Sequence, residues 1–152
     1  MNREASADFA VDDQDIVQFN PDLANYYCWA VGDKKNKYSS GGQYYGKANN
    51  KNTINIEICS ICSPATSENL ATANNISWSF TKSALNNAIK IAKIIIKKYN
   101  IPLSNVIRHY DITGKLCPGV VGWNNEAIYV NGKITKDKSD SSAWEAFKLR
   151  LK

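Results

Sequence analysis

Residues 81–99 impose the strongest constraint on the fold, because they carry a helical repeat with its apolar residues on one side. Leu85, Ala88, Ala92, Ile95 and Tyr99 recur at helical spacing, opposite Asn86, Lys90, Lys93 and Lys97. Pro102 disfavours helical geometry at Ile101, so the helix is expected to stop near Asn100. A stripe of that length has to be covered by another layer of structure, which the rest of the chain must supply.

Strands are the expected covering layer. Residues 53–59 alternate, with Ile54, Ile56 and Ile58 on one face and Asn55, Glu57 and Cys59 on the other. Residues 7–11 and 16–19 read as two short strands around the turn Asp12-Asp13-Gln14-Asp15. Val106-Ile107-Arg108 reads as a short strand that runs into a loop over residues 109–119. Asn131-Gly132, between Ile128-Tyr129-Val130 and Lys133-Ile134-Thr135, signals a tight hairpin. Ser142 and Glu145 have capping-box spacing ahead of Trp144, Phe147 and Leu151, which share one helical face. Strands interleaved with helices predict an α/β (or α+β) fold, a central mixed sheet with helices on one face and an active-site groove on the other. Residues 21–51, rich in Gly, Asn, Lys and Tyr, show no period and are expected to form a long functional loop. Its aromatic residues, Tyr26, Tyr27, Trp29, Tyr44 and Tyr45, either stack on sugars or pin the loop to the body.

The 152 residues, 43% hydrophobic and 22% charged, suit a single domain. No run reaches the roughly 18 apolar residues of a membrane span, and Met1-Asn2-Arg3-Glu4 opens no apolar signal core. Neither membrane insertion nor an export signal in this chain is therefore expected. The 19 basic and 14 acidic residues leave a net charge of +5. Nucleic acid is not the expected partner, because Lys90, Lys93 and Lys97 form a solvated helix face and no nucleic-acid motif accompanies them. An acidic polymer such as a bacterial cell wall suits the same charge. Of the four cysteines, Cys59 and Cys62 have the spacing of half a structural zinc site or of a redox pair, but no second close pair completes such a site. Without a signal peptide, reduced thiols are the expectation.

His109, the chain's sole histidine, stands eight residues before Cys117, with Lys115 between them in the stretch Arg108-His109-Tyr110-Asp111-Ile112-Thr113-Gly114-Lys115-Leu116-Cys117-Pro118-Gly119. That stretch resembles the type 2 N-acetylmuramoyl-L-alanine amidases, a family that includes many phage endolysins and the animal peptidoglycan recognition proteins. Ile54-Asn55-Ile56-Glu57-Ile58-Cys59 matches a second block of the family and Ala5-Ser6-Ala7-Asp8-Phe9 a third, so the resemblance runs from about Ala5 to Gly119. It implies a peptidoglycan hydrolase that cuts the amide between the lactyl group of N-acetylmuramic acid and L-alanine. On the same resemblance His109 and Cys117 are two of three zinc ligands, an imidazole and thiolate set that suits zinc. Glu57 is then the general base and Lys115 the group that stabilises the oxyanion. Asp111 is read as fixing the loop or orienting His109, and Thr113 and Gly114 as shaping the turn.

The chain departs from the family in one respect. Members carry an earlier buried strand ending in the first zinc-binding His, and this chain starts at Met1, past the place of that strand. The resemblance therefore implies an amidase-like domain over residues 1–152 that is incomplete at its N-terminal side, with zinc held weakly. Asp8 is one candidate for a substitute oxygen ligand. An open sheet position is expected to favour self-association or the docking of an upstream segment ending in His. A peptidoglycan-binding module that does not hydrolyse, or an inactive truncated amidase, is the alternative function. Cytoplasmic synthesis is expected, with action on the cell wall after release as a phage or prophage lysin, or after secretion from a longer precursor.

Overall fold

A computed structural model describes residues 5–32, 42–73, 75–124, 128–130, 133–136 and 141–152. Two short strands, β1 (Phe9–Val11) and β2 (Ile16–Gln18), pair antiparallel as the sequence predicts. Their turn is held by the Asp12 carboxylate, which accepts from the backbone N–H groups of Gln14 and Asp15 at 2.8 and 2.7 Å. Strand β3 (Ile56–Ile58) lies on the other side of β1 and runs parallel to it, giving a mixed sheet in the order β2-β1-β3. All three strands are shorter than the alternation that announces them.

A second small ribbon follows, in which β4 (Ile61–Cys62) pairs antiparallel with β5 (Trp78–Ser79) across the short helix α1 (Ser67–Ala71). Its centre is polar. Asn75 donates to the Asn69 side chain at 2.9 Å, and the Trp78 indole donates to the Asn69 carbonyl at 2.9 Å.

Helix α2 (Lys82–Tyr99) begins at Thr81, whose hydroxyl accepts from the Ala84 N–H, and ends at Asn100 in the left-handed conformation, φ 51°. Ala84, Ala88, Ile89, Ile91, Ala92 and Ile95 are its buried residues, and Lys90, Lys93 and Lys97 are exposed. The helix covers one face of the sheet, against Phe9 and Val11, which are 3% and 1% exposed. Phe9 sits opposite Ile56 and Val11 opposite Ile58, so these four residues share the covered face, while Ala10 and Glu57 share the other. The Asn87 side chain donates to the Asp12 carbonyl at 3.0 Å and so ties the helix to the hairpin turn.

Val106-Ile107-Arg108 is not a strand. A 3-10 turn at Leu103–Asn105 precedes it, and the Arg108 backbone N–H is taken by the Asp111 carboxylate at 2.8 Å, so the segment serves a helix start instead. The predicted loop accordingly opens with a short helix, α3 (His109–Thr113), closed by Gly114 at φ 75°. Strands β6 (Ile128–Val130) and β7 (Lys133–Lys136) form the expected antiparallel hairpin, separate from the central sheet; Asn131 and Gly132 lie outside the described residues. Helix α4 (Ser142–Leu149) starts one residue earlier than its capping-box spacing implies. Ser141 is the cap and makes no side-chain bond there.

Trp144, Phe147 and Leu151 are buried as expected, and Trp123, which sequence reasoning did not single out, is their hub. Its ring centroid lies 5.2 Å from Phe80, 5.5 Å from Trp144 and 5.1 Å from Phe147, at edge-on or tilted angles that aromatic rings favour. Arg150 on the last turn donates to Asn86 of α2 at 2.6 Å. No helix among the described residues is long and apolar enough to cross a membrane.

Candidate active site

The Gly42 segment, the Val31 segment and the residue 117 segment all converge on α3. Its Asp111 and Ile112 carbonyls accept from the backbone N–H groups of Tyr44 and Gly42 at 2.9 and 3.1 Å. The approach at Gly42 is so close that a Cβ there would stand 2.1 Å from the Asp111 carbonyl oxygen. The Tyr110 N–H donates to the Cys117 carbonyl at 3.2 Å, which closes the loop and brings Cys117 beside the first turn of α3.

Beneath that turn lies a buried ion pair. Asp111 accepts from Arg108 Nε at 3.0 Å and Nη2 at 2.6 Å, and Arg108 Nη1 donates to the Trp123 carbonyl. The guanidinium also lies 5.1 Å from the Tyr110 ring centroid and 5.3 Å from that of Trp144. Both Asp111 oxygens are thus engaged by Arg108. Of its two expected roles Asp111 takes the first, fixing the loop, and the pair couples α3 to the aromatic core.

His109, half-buried, donates from its imidazole to the Val31 carbonyl. Burial holds its pKa below the ordinary value and the nearby Lys115 ammonium lowers it further, against the raising effect of the Val31 bond. A neutral imidazole with one nitrogen tied to a backbone carbonyl keeps the other nitrogen as an electron-pair donor. Burial pushes the Cys117 thiol up; Lys115 opposes that shift and the Glu57 carboxylate adds to it. The Lys115 charge thus reaches both His109 and Cys117, and the Glu57 charge reaches Cys117. Glu57 is exposed on the sheet face away from α2, and Lys115 is exposed on the loop.

An imidazole and a thiol match zinc in kind. In number they fall short, since no group of three His, Cys, Asp or Glu side chains comes together among the described residues. Asp8 does not fill the gap. Its side chain is buried at 2% exposure and accepts from Asn20 Nδ2 at 2.7 Å, Asn55 Nδ2 at 2.7 Å and the Asn55 N–H at 2.9 Å. That carboxylate joins the start of β1 to the segments after β2 and before β3, a structural role that overturns its expectation as a ligand. Asn20 and Asn55 were not foreseen. Cys59 and Cys62 are free, as are Cys28 and Cys117, and Cys62 makes only a long contact of 3.7 Å to the Pro64 carbonyl.

The clearest concavity, of roughly 350 Å³, is lined by Gln43, Ser104, Arg108, Asp111, Trp144 and Lys148 among others, and by none of the four candidate residues. Its strongest charges already neutralise each other in the Arg108–Asp111 pair, so the chemistry is better sought around His109.

Comparison with known proteins adds the family. No curated protein and no solved structure matches the chain. Residues 1–120 match the family described as N-acetylmuramoyl-L-alanine amidase, a span that takes in Glu57, His109, Lys115 and Cys117. With most of its length matched in this way, the chain belongs to the N-acetylmuramoyl-L-alanine amidase family.

Proposed function

We propose that this protein hydrolyses the amide between the lactyl group of N-acetylmuramic acid and L-alanine in peptidoglycan, using zinc held by His109, Cys117 and a third donor from outside the described residues. The observation that carries the reading is the family match over residues 1–120, which takes in Glu57, His109, Lys115 and Cys117; the action of the Lys115 charge on His109 and Cys117 supports it. When bound, zinc supplies a Lewis acid that makes water nucleophilic at neutral pH. Glu57 takes the proton of the attacking water and returns it to the nitrogen of the departing L-alanine. Lys115 presents its ammonium to the carbonyl oxygen as negative charge develops there. The Val31 carbonyl holds the His109 ring in one tautomer. The open side of the sheet, where Glu57 lies, is the floor of the groove that receives the substrate.

A second reading is favoured by the count of donors. With no group of three ligands among the described residues, a domain that holds zinc poorly would bind peptidoglycan without cutting it. The experiment that separates the two measures zinc content and the release of peptides from purified cell wall. Glu57→Gln and Lys115→Ala are each expected to lower release at least about a hundredfold, the scale of losing a general base or an oxyanion donor. Turnover near that of the unaltered chain in either variant removes the role assigned to that residue; wall binding without any peptide release supports the second reading.

A further inference from the structure

Four aromatic side chains of the long loop divide between pinning it and standing exposed to solvent. Tyr44 pins the loop, donating from its hydroxyl to the Ser104 carbonyl at 2.8 Å. Tyr26, Tyr27 and Trp29 are 69%, 45% and 57% exposed. Cys28, between the last two, is half-buried and faces Ser6 and Asp8. Tyr27 and Trp29 thus stand exposed on either side of a half-buried Cys28.

The backbone that carries these rings is held rigidly. Trp29 N–H donates to Ser6 Oγ at 2.8 Å, and the Ser6 N–H donates back to the Trp29 carbonyl at 3.3 Å. The next three N–H groups, of Ala30, Val31 and Gly32, all point to Asn50 Oδ1 at 3.2, 3.0 and 3.2 Å. Within that clamp the Val31 carbonyl accepts from His109, so Trp29 stands two residues from the proposed reaction centre. Lys51 lies 5.9 Å from the Tyr27 centroid and occupies one side of that ring, whereas no ring or cation among the described residues covers Trp29. A main chain fixed by these bonds carries an exposed indole two residues from the carbonyl that meets His109, so less order is lost when a ligand settles there.

We propose that Trp29, with Tyr27 beside it, is a stacking subsite for the glycan strand of the substrate, taking the C–H face of an N-acetylated pyranose next to His109. The proposal rests on the amidase reading for its choice of ligand. An aromatic ring offers a flat apolar surface with a negative face, which complements the weakly positive C–H groups of a sugar ring. The two exposed rings give the strand a surface beside the segment whose Val31 carbonyl meets His109.

The test uses the whole chain and a short peptide-free oligomer of N-acetylglucosamine, with binding followed by NMR at the indole N–H of Trp29, assigned by its loss in Trp29→Phe. A saturable shift at that indole is expected, with Trp78, Trp123 and Trp144 little changed. Trp29→Ala and Trp29→Gln are expected to weaken oligomer binding about tenfold or more, and Trp29→Phe to keep most of it, since a phenyl ring still stacks. Lys93→Ala, on the exposed side of α2, is expected to bind the oligomer as the unaltered chain does, because it lies outside both the platform and the reaction centre. Absence of saturable binding, a shift confined to the other indoles, or equal binding by Trp29→Gln overturns the subsite. Oligomer binding without peptide release from wall leaves the subsite standing and sinks the hydrolytic reading instead.

Discussion

Arg108 and Asp111 show how one residue pair governs whether the loop holding His109 has a shape at all. Both are buried, at 8% and 7% exposure, and each satisfies the other's charge. Removing only the carboxylate strands a guanidinium in the interior, a change that costs about 3–5 kcal/mol in buried pairs. Asp111→Ala is therefore expected to lower stability by that order, read as a shift in the urea unfolding midpoint; a midpoint unchanged within error would show that water reaches the guanidinium. His109→Ala and Cys117→Ala are expected to leave the fold in place and each to abolish zinc uptake, measured by elemental analysis after dialysis. Unchanged zinc in both would locate the metal elsewhere, with Cys59 and Cys62 the next pair to test.

Elements with a strong repeat were legible in the sequence, and those defined by a single long-range contact were not. Helix α2 stops at Asn100 as Pro102 demands, because eighteen residues of period and a proline act locally. Ile95→Ala within its buried stripe is expected to cost about 2–5 kcal/mol, the usual range for deleting a core aliphatic, whereas Ile94→Ala on the exposed side should change little. Calorimetry of the two variants checks this, and equal effects would contradict the placement of the helix. Val106-Ile107-Arg108 has the composition of a strand, but no partner strand lies beside it among the described residues and Asp111 claims its last N–H. The candidate residues Glu57, His109, Lys115 and Cys117 were named through the resemblance of their stretches to the amidase family. The Val31 carbonyl behind His109 could not be, since a backbone acceptor leaves no mark in composition. Asp8 misled for the converse reason. A carboxylate's type is visible, but the asparagines that occupy it, Asn20 and Asn55, are 12 and 47 residues away.

At the scale of the molecule, α2 covers one face of the sheet, while Glu57 on the other face is exposed. Among the described residues β3 pairs with β1 alone, so its far edge offers unpaired backbone groups to another strand. We expect concentration-dependent association through that edge, visible by light scattering as growth beyond the 16.9 kDa of one chain. A lysine introduced on the edge, Ile58→Lys excepted because Ile58 faces α2, should suppress it; a monomer at all concentrations would mean that the edge is covered. The Asp8–Asn55 contact carries a consequence of another kind. It spans 47 residues of sequence, and the helix that shields Phe9 and Val11 begins only at Lys82. During synthesis the β1–β2 hairpin can form as soon as it emerges, yet its apolar face has nothing to rest on until some sixty further residues have followed, about three to twelve seconds at ordinary elongation rates. A nascent chain of this design exposes its future core for that whole interval, and its demand for chaperones is set by the order of its elements along the gene.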